Sequence, residues 1–553
     1  MDRPWLNSYP QGVNADIDIN KYNSVVEIFD SSVKEYAMRP AFSNFGKTLS
    51  YTEFEHATTS LAAYLQQTLG LEKGDRVAIM MPNLLQNPVS IFGVLRAGLT
   101  VVNTNPLYTA RELRHQLKDS GAKAIIVVEN FASTVQAVLD DTNVEHVIVT
   151  KMGDMLDFPK AVIINLVVKY LKKMVPPYSI DEAISFKEAL SMGSKLSLNP
   201  ISLNHDDIAF LQYTGGTTGV AKGAVLTHKN MVANMLQSAE WIKNDVILGE
   251  EVIITALPLY HIFSLTANCL VFMEAGALNV LITNPRDFKG FVNELKKTPF
   301  TAITGVNTLF NALLNTEGFA DIDFSKLKIT LGGGMSVQAA VATEWKKITG
   351  CTLVEAFGLT ETSPAVCINP LNLKDYNGSI GLPISSTYCQ LIDADGQTVA
   401  SGEPGELCVK GPQVMRGYWN LPDETAQAFT TDGWLKTGDV AKMDDAGFFY
   451  IVDRIKDMII VSGFNVYPNE VEGVIVEHPG VLECGVIGVK DELRGESVKA
   501  FVVKKDEALT EAELLDFCRQ HLTAYKTPDH IVFIKELPKT NVGKVLRREL
   551  RSL

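Results

Sequence analysis

From residue 75 onward, short apolar runs (DRVAIMM, AKAIIVV, EHVIVT) alternate with stretches in which apolar residues return at helical spacing. Runs of this kind read as strands buried on both faces, and their alternation with amphipathic helices predicts an α/β class of doubly wound, largely parallel sheets. Thr109 followed by Glu112 forms a capping box, in which each side chain satisfies a backbone N–H at the other's end of the first turn, and predicts a helix over 110–118. LKITLGGG predicts a strand ending in Gly332, Gly333 and Gly334, followed by a helix capped by Ser336 and stopped at Gly350. CTLVEAFG is then the next strand.

Between about 382 and 452 the pattern changes to Gly, Asp and Pro turns around short strands (GELCVKG, GFFYIV), which predicts a β-rich subdomain. The charged run Asp453-Arg454-Ile455-Lys456-Asp457 follows, and we place there the boundary between a large region, 1–452, and a small mobile α+β domain, 453–553. That domain is expected to hold a helix near 469–477, strands around VLECGVIGV and SVKAFVVKK, and a helix capped by Thr510 with Glu513. Over 159–175 a helical wheel gathers Asn165, Lys169, Lys172 and Lys173 on one face, with Ile163, Ile164, Leu166, Val167, Tyr170, Leu171 and Met174 over the rest. This is either a basic amphipathic helix resting on anionic lipid or a core helix with one solvated lysine face.

Size and charge narrow the picture. A chain of 553 residues, 46% hydrophobic, exceeds one ordinary core. Its formal charge of -14 argues against nonspecific attraction to nucleic acid. The seven cysteines are scattered, with neither a CxxC pattern nor a disulfide framework, which fits a reducing compartment. The N-terminus has no apolar run behind a basic start, and no stretch reaches the roughly 18 apolar residues of a membrane span. The expectation is a cytoplasmic protein, at most peripheral on the inner face of a membrane; if it self-associates, a homodimer is the commonest form.

The chemistry begins at YTGGTTGVAKG, residues 213–223. Gly215, Gly216 and Gly219 let the backbone approach a ligand, Tyr213, Thr214, Thr217 and Thr218 add hydroxyls, and Lys222 adds a positive charge, the parts needed to cradle polyphosphate. It is not the GxxxxGK[ST] loop, since no Ser or Thr follows the lysine. By itself such a stretch also describes an ordinary surface loop. Five further segments accompany it in order: PLYHIFSL, EAFGLTET, WLKTGD, VDRIKDMIIVSGFNVYPNEVE and PKTNVGK.

Together these segments resemble the acyl-adenylate-forming superfamily over almost the entire chain, and 432–470 resembles its fatty acyl-CoA synthetase signature. The resemblance implies that a carboxylate attacks the α-phosphate of Mg-ATP, giving acyl-AMP and pyrophosphate, after which the thiol of coenzyme A displaces AMP. The substrate it implies is a long-chain fatty acid. Ligases for medium-chain or aromatic acids, a peptide-synthetase adenylation domain, a light-emitting oxygenase and a noncatalytic acyl-binding or uptake protein share the fold. By the same resemblance Lys544 bridges carboxylate and α-phosphate, Glu361 beside Thr360 holds Mg²⁺, and Asp439 accepts from the ribose hydroxyls. Lys539, Arg547, Arg548 and Arg551 around Lys544 also fit a solvated basic tail. Gly333, Gly334, Glu355, Ala356 and Phe357, continuing into Gly358 and Leu359, are implied to bind the nucleotide; many relatives carry Tyr where Phe357 stands. Asp453 matches the hinge, Arg454 lies near the ribose, Ser462 and Gly463 border the pantetheine tunnel, and His261 gates the acyl site.

Overall fold

The structure, a computed structural model, describes residues 3–214, 221–462, 464–491, 493–540, 543 and 545–553. Gly215, Gly216, Thr217, Thr218, Gly219, Gly463 and Lys544 therefore lie outside the described residues.

The apolar runs become two large sheets. In the first, Arg76–Met80, Thr100–Asn103, Ala124–Val128, His146–Thr150 and Ile208–Thr214 run parallel within seven strands, closed at one edge by antiparallel Lys222–Thr227. In the second, Val252–Thr255, Leu278–Leu281, Ala302–Gly305, Ile329–Gly333 and Leu353–Gly358 form the parallel centre of nine strands. Helices cover both, and the largest hydrophobic cluster joins Phe29, Phe54 and Phe92 into an aromatic nest between them. The parallel strands bring their carboxyl ends to one side of each sheet, where open α/β sheets bind ligands.

Local signals hold where the partner is nearby in sequence. Thr109 and Glu112 form their capping box, and the helix runs Ala110–Ser120. Thr510 caps Glu511–His521 by accepting from the Glu513 N–H. Ser336 does not cap the helix ending at Gly350. That helix is Ala339–Thr349, its N-cap is Gln338, and the Gln338 N–H donates to Asn307 Oδ1 at 2.9 Å, so a side chain from the start of the helix Asn307–Leu314 binds this helix end.

The β-rich region is a four-stranded antiparallel sheet of Tyr388–Ile392, Gly405–Lys410, Leu435–Met443 and Phe449–Arg454. Leu382–Pro383 belongs instead to the edge of the nine-stranded sheet. The last strand continues through Asp453 and Arg454, and the Ile455 N–H still donates to the Gly438 carbonyl at 3.0 Å. The small domain packs Pro468–Glu477 and Glu511–His521 on a sheet of its own whose longest hairpin is Val481–Asp491 with Gly495–Lys504.

Residues 159–175 are neither a continuous helix nor a core helix. The segment is α-helical over Lys160–Leu166, turns to π geometry over Val167–Leu171, and leaves the helix at Lys173, whose φ is 51°. Only Ala161 and Val168 are buried within these helices, and Asn165, placed by the wheel among the lysines, accepts the Gly153 N–H at 2.8 Å. Phe158, Tyr170 and Leu171 are 85%, 67% and 74% exposed, with Ile163, Leu166 and Met174 about half exposed beside them, so the apolar side faces out.

Candidate active site

The ends of both large sheets, the β-rich sheet and one face of the small domain surround a single cleft of about 2850 Å³. At its edge the strands on either side of the Gly/Thr-rich segment pair, with Tyr213 opposite Gly223 and Thr214 opposite Lys222. Tyr213 donates its hydroxyl to Asp119 at 2.6 Å; burial and that carboxylate hold the phenol far above its ordinary range, so it anchors the hairpin root as a neutral donor. Lys222 is paired with Glu424 and sits 5.2 Å from the centroid of the Tyr418 ring. The Tyr418 hydroxyl donates to Glu361 Oε1 at 2.7 Å. One polar cluster thus joins the loop's root to the acidic turn.

That turn, Thr360–Thr362, follows the strand Leu353–Gly358 directly. Gly358 lies so close to the returning chain that a Cβ there would stand 2.1 Å from the Pro364 carbonyl oxygen, a fit open only to glycine. The Met415 N–H donates to the Glu361 carbonyl at 2.7 Å and fixes the turn to the segment leading to Tyr418.

Gly333 and Ala356 are paired on adjacent strands, and Phe357, opposite Cys367, is half-buried at the cleft wall with Leu359. Glu355 is buried behind this wall, 3.0 Å from the Tyr376 hydroxyl. Burial pushes its carboxyl up to about 8 against the opposing Tyr376 hydrogen bond. A protonated Glu355 donates to the Tyr376 oxygen and leaves the phenol proton for the Val337 carbonyl, 2.6 Å away.

Asp439 and Arg454 face each other across the hairpin, and Arg454 Nε donates to Asp439 Oδ1 at 3.1 Å. Asp439 is 3% exposed at the cleft, where a buried carboxylate suits two hydroxyl donors. His261 begins a short helix, its Nδ1 accepting the Phe263 N–H at 3.3 Å, and borders an apolar limb that includes Ile242, Val271, Phe272, Ile368 and Leu371. Ser462 is held in a left-handed turn with its N–H donating to the Arg494 carbonyl at 2.8 Å and does not line the cleft.

Asp453 is fully buried in its strand; its carboxylate accepts the Arg454 and Asn469 N–H groups, each at 2.7 Å. Gly543, with φ 85°, rests on Thr308 and Val306 of the large region, both of which line the cleft. Sequence reasoning did not find Tyr418, Tyr376, Glu424 or Thr308, whose partners stand tens to hundreds of residues away. It grouped Arg547 with a solvated tail, yet that side chain is only 14% exposed and lies among Asp453, Asp457 and Glu472. The acidic residues of the 453–457 run were the available signal.

Residues 29–419 match the family model described as AMP-binding enzyme, and 470–544 match its companion, the AMP-binding enzyme C-terminal domain. A protein named long-chain-fatty-acid–CoA ligase from Salmonella typhimurium is 57% identical, over 100% of this chain and 98% of its own. Among solved structures, the anthranilate CoA ligase AuaEII in complex with anthranoyl-AMP aligns at TM-score 0.84 and 25% identity, covering 97% of this chain and 98% of that one. ATP-bound MatB from Rhodopseudomonas palustris aligns at 0.82 and 27%, covering 96% and 99%. The chain belongs to the AMP-binding enzyme family, the acyl-adenylate-forming enzymes that its ordered motifs resemble.

Proposed function

We propose that this protein is a long-chain fatty acid–CoA ligase that consumes ATP and supplies acyl-CoA for fatty acid degradation and lipid metabolism. The observation that carries the reading is one cleft lined both by Gly333, Phe357 and Asp439 and by the apolar side chains of Ile242, Val271 and Phe272. In the first step a carboxylate oxygen bonds to the α-phosphorus as the bond to the β-phosphate breaks, releasing pyrophosphate. In the second the coenzyme A sulfur bonds to the acyl carbon, the bond to AMP breaks and the thiol proton is lost.

Each residue then has a physical task. Two anions meet in the first step, so Lys544, delivered behind Gly543, neutralises charge between them. Asp439 holds the ribose, Arg454 orients Asp439, and the glycines of the 213–223 hairpin hold the departing phosphates. Mg²⁺ needs only one or two carboxylates beside phosphate oxygens. Glu361, oriented by Tyr418, would hold Mg²⁺ with Thr360 beside it; the ion supplies neutralisation of phosphate charge. Rotation at Asp453 exchanges Lys544 for Ser462 and Gly463, which would border the pantetheine arm of coenzyme A.

Among the described residues no helix is long and apolar enough to cross a membrane. We place the enzyme in the cytoplasm with peripheral membrane contact through 158–174, where Phe158, Tyr170 and Leu171 project beside Lys169, Lys172 and Lys173. That contact suits a substrate that partitions into lipid. The test of the activity is acid-dependent exchange of labelled pyrophosphate into ATP, measured from acetate to oleate. Strong exchange with palmitate and oleate, and thioester only when coenzyme A is added, is expected; binding of palmitate without exchange would sink the reading.

A further inference from the structure

Arg547 gathers more negative charge than any simple pairing requires. Its Nη2 stands 2.9 Å from each oxygen of Glu472 and 2.5 Å from Asn469 Oδ1, its Nε 3.2 Å from Glu472 Oε1, and its Nη1 3.4 Å from both Asp453 Oδ1 and Asp457 Oδ2. Arg551 also reaches Asp457, at 3.0 Å. These partners fall on two sides of the joint. Asp453 lies in Phe449–Arg454, paired to Leu435–Met443 and so fixed to the large region. Asn469 and Glu472 lie on the helix Pro468–Glu477 of the small domain, and Asp457 lies beyond the strand end.

A rotation beyond that strand therefore leaves Arg547 its Glu472 and Asn469 contacts, which lie within the small domain, and removes Asp453. It also separates Asp453 from the Asn469 N–H, 2.7 Å away. In the orientation seen, Gly543 is seated on Thr308, with one residue between it and Val545. Arg547 follows Lys544 by three positions. The contact with Asp453 thus belongs to the orientation in which Gly543 is seated on Thr308, whereas the Glu472 contact lies within the small domain.

We propose that Arg547 is a positioning residue: its guanidinium latches Asp453 and holds the small domain in the orientation that forms the adenylate. This rests on the ligase reading and on rotation of the small domain beyond that strand. Because Glu472 and Asn469 keep the released guanidinium satisfied, the latch opens without stranding a buried cation. Its fork serves two sides at once, a geometry that lysine's single ammonium cannot reproduce.

The test separates the half-reactions. In Asp453→Asn and Arg547→Gln, pyrophosphate exchange should fall about tenfold to a hundredfold, the range for a lost charge-assisted hydrogen bond. Thioester formation from supplied acyl-AMP should change by less than about threefold. Arg547→Lys should lie between wild type and Arg547→Gln in exchange. Glu472→Gln, which removes a contact kept in both orientations, should affect both half-reactions alike. Equal losses in both half-reactions for Asp453→Asn, or no loss in either, would overturn the latch. Should Arg547→Gln fail to fold, Asp453→Asn still decides.

A second measurement does not depend on activity. Spin labels at Met38→Cys and Leu493→Cys, 86% and 96% exposed, report the distance between large and small domains. With ATP added, the otherwise wild-type protein should give one narrow distance and Asp453→Asn a broadened one; identical distributions count against the latch. A wild-type protein without acid-dependent exchange would refute the ligase reading, while the label distances would still decide the latch.

Discussion

Gly543 of the small domain touches Thr308 of the large one so closely that a Cβ on Gly543 would stand 2.4 Å from Thr308 Oγ1. With φ at 85°, any side chain there is also strained in its backbone. Gly543→Ala should therefore reduce pyrophosphate exchange at least tenfold while leaving thioester formation from supplied acyl-AMP within a few-fold of wild type. Thr308→Ser in the Gly543→Ala background should recover little, because the strain stays and the hydroxyl remains. Thr308→Gly should recover more, and the graded series is read by the exchange assay.

Lys544→Ala should remove adenylate formation by a factor of roughly a thousand, since an ammonium between two anions acts where charge is least tolerated. Thioester formation from acyl-AMP should persist. Equal losses in single-turnover measurements of the two steps would argue against this division of labour.

On the ligase reading, the apolar part of the cleft, Val271 included, sets acyl length. Val271→Phe should shorten it, and excluding two methylenes costs about 1.6 kcal/mol, roughly tenfold in kcat/KM. The ratio of kcat/KM for palmitate to that for octanoate should fall by that factor, with exchange on octanoate nearly unchanged. An unaltered ratio would place the chain elsewhere.

Glu355 makes stability depend on pH. Its folded carboxyl titrates near 8, above the ordinary carboxylate range, so the folded protein holds a proton that the unfolded chain releases. That contribution is complete below the unfolded value near 4.5 and is lost progressively as pH rises to about 8. Glu355→Gln keeps a neutral donor at every pH. The difference in Tm between variant and wild type should therefore move in the variant's favour from pH 5 to pH 8 and level off above it.

For the exposed segment, flotation with anionic vesicles should lose most bound protein in Tyr170→Ser/Leu171→Ser. It should lose part in the variant neutral at Lys169, Lys172 and Lys173, the part that salt also removes. Exchange activity without vesicles should be unchanged in both. Unaltered flotation in the first variant would remove this surface from the account.

What the sequence made legible follows the distance between partners. Thr109 with Glu112 and Thr510 with Glu513 are three-residue relationships, and both caps form. The apolar runs announced their strands because burial on both faces leaves a compositional mark. Ser336 failed as a cap because Asn307 reaches the same helix end from another element. Glu424 on Lys222 and Tyr418 on Glu361 had no local trace, being 202 and 57 residues from their partners. The wheel over 159–175 assumed one period throughout, and the change to π geometry at Val167 turns the later side chains away from the face it assigned.

The cleft is walled by cores that pack separately, the large sheets with their aromatic nest on one side and the cluster around Val466, Ile475 and Val486 on the other. Warming should act on them unequally, since the smaller core encloses less apolar area and opens at lower free energy. Heat inactivation would then report the loosening of the C-terminal unit, while most of the molecule's circular dichroism still describes an intact nucleotide pocket. Ligands that bridge both walls should raise the inactivation temperature more than ligands that touch the larger wall alone.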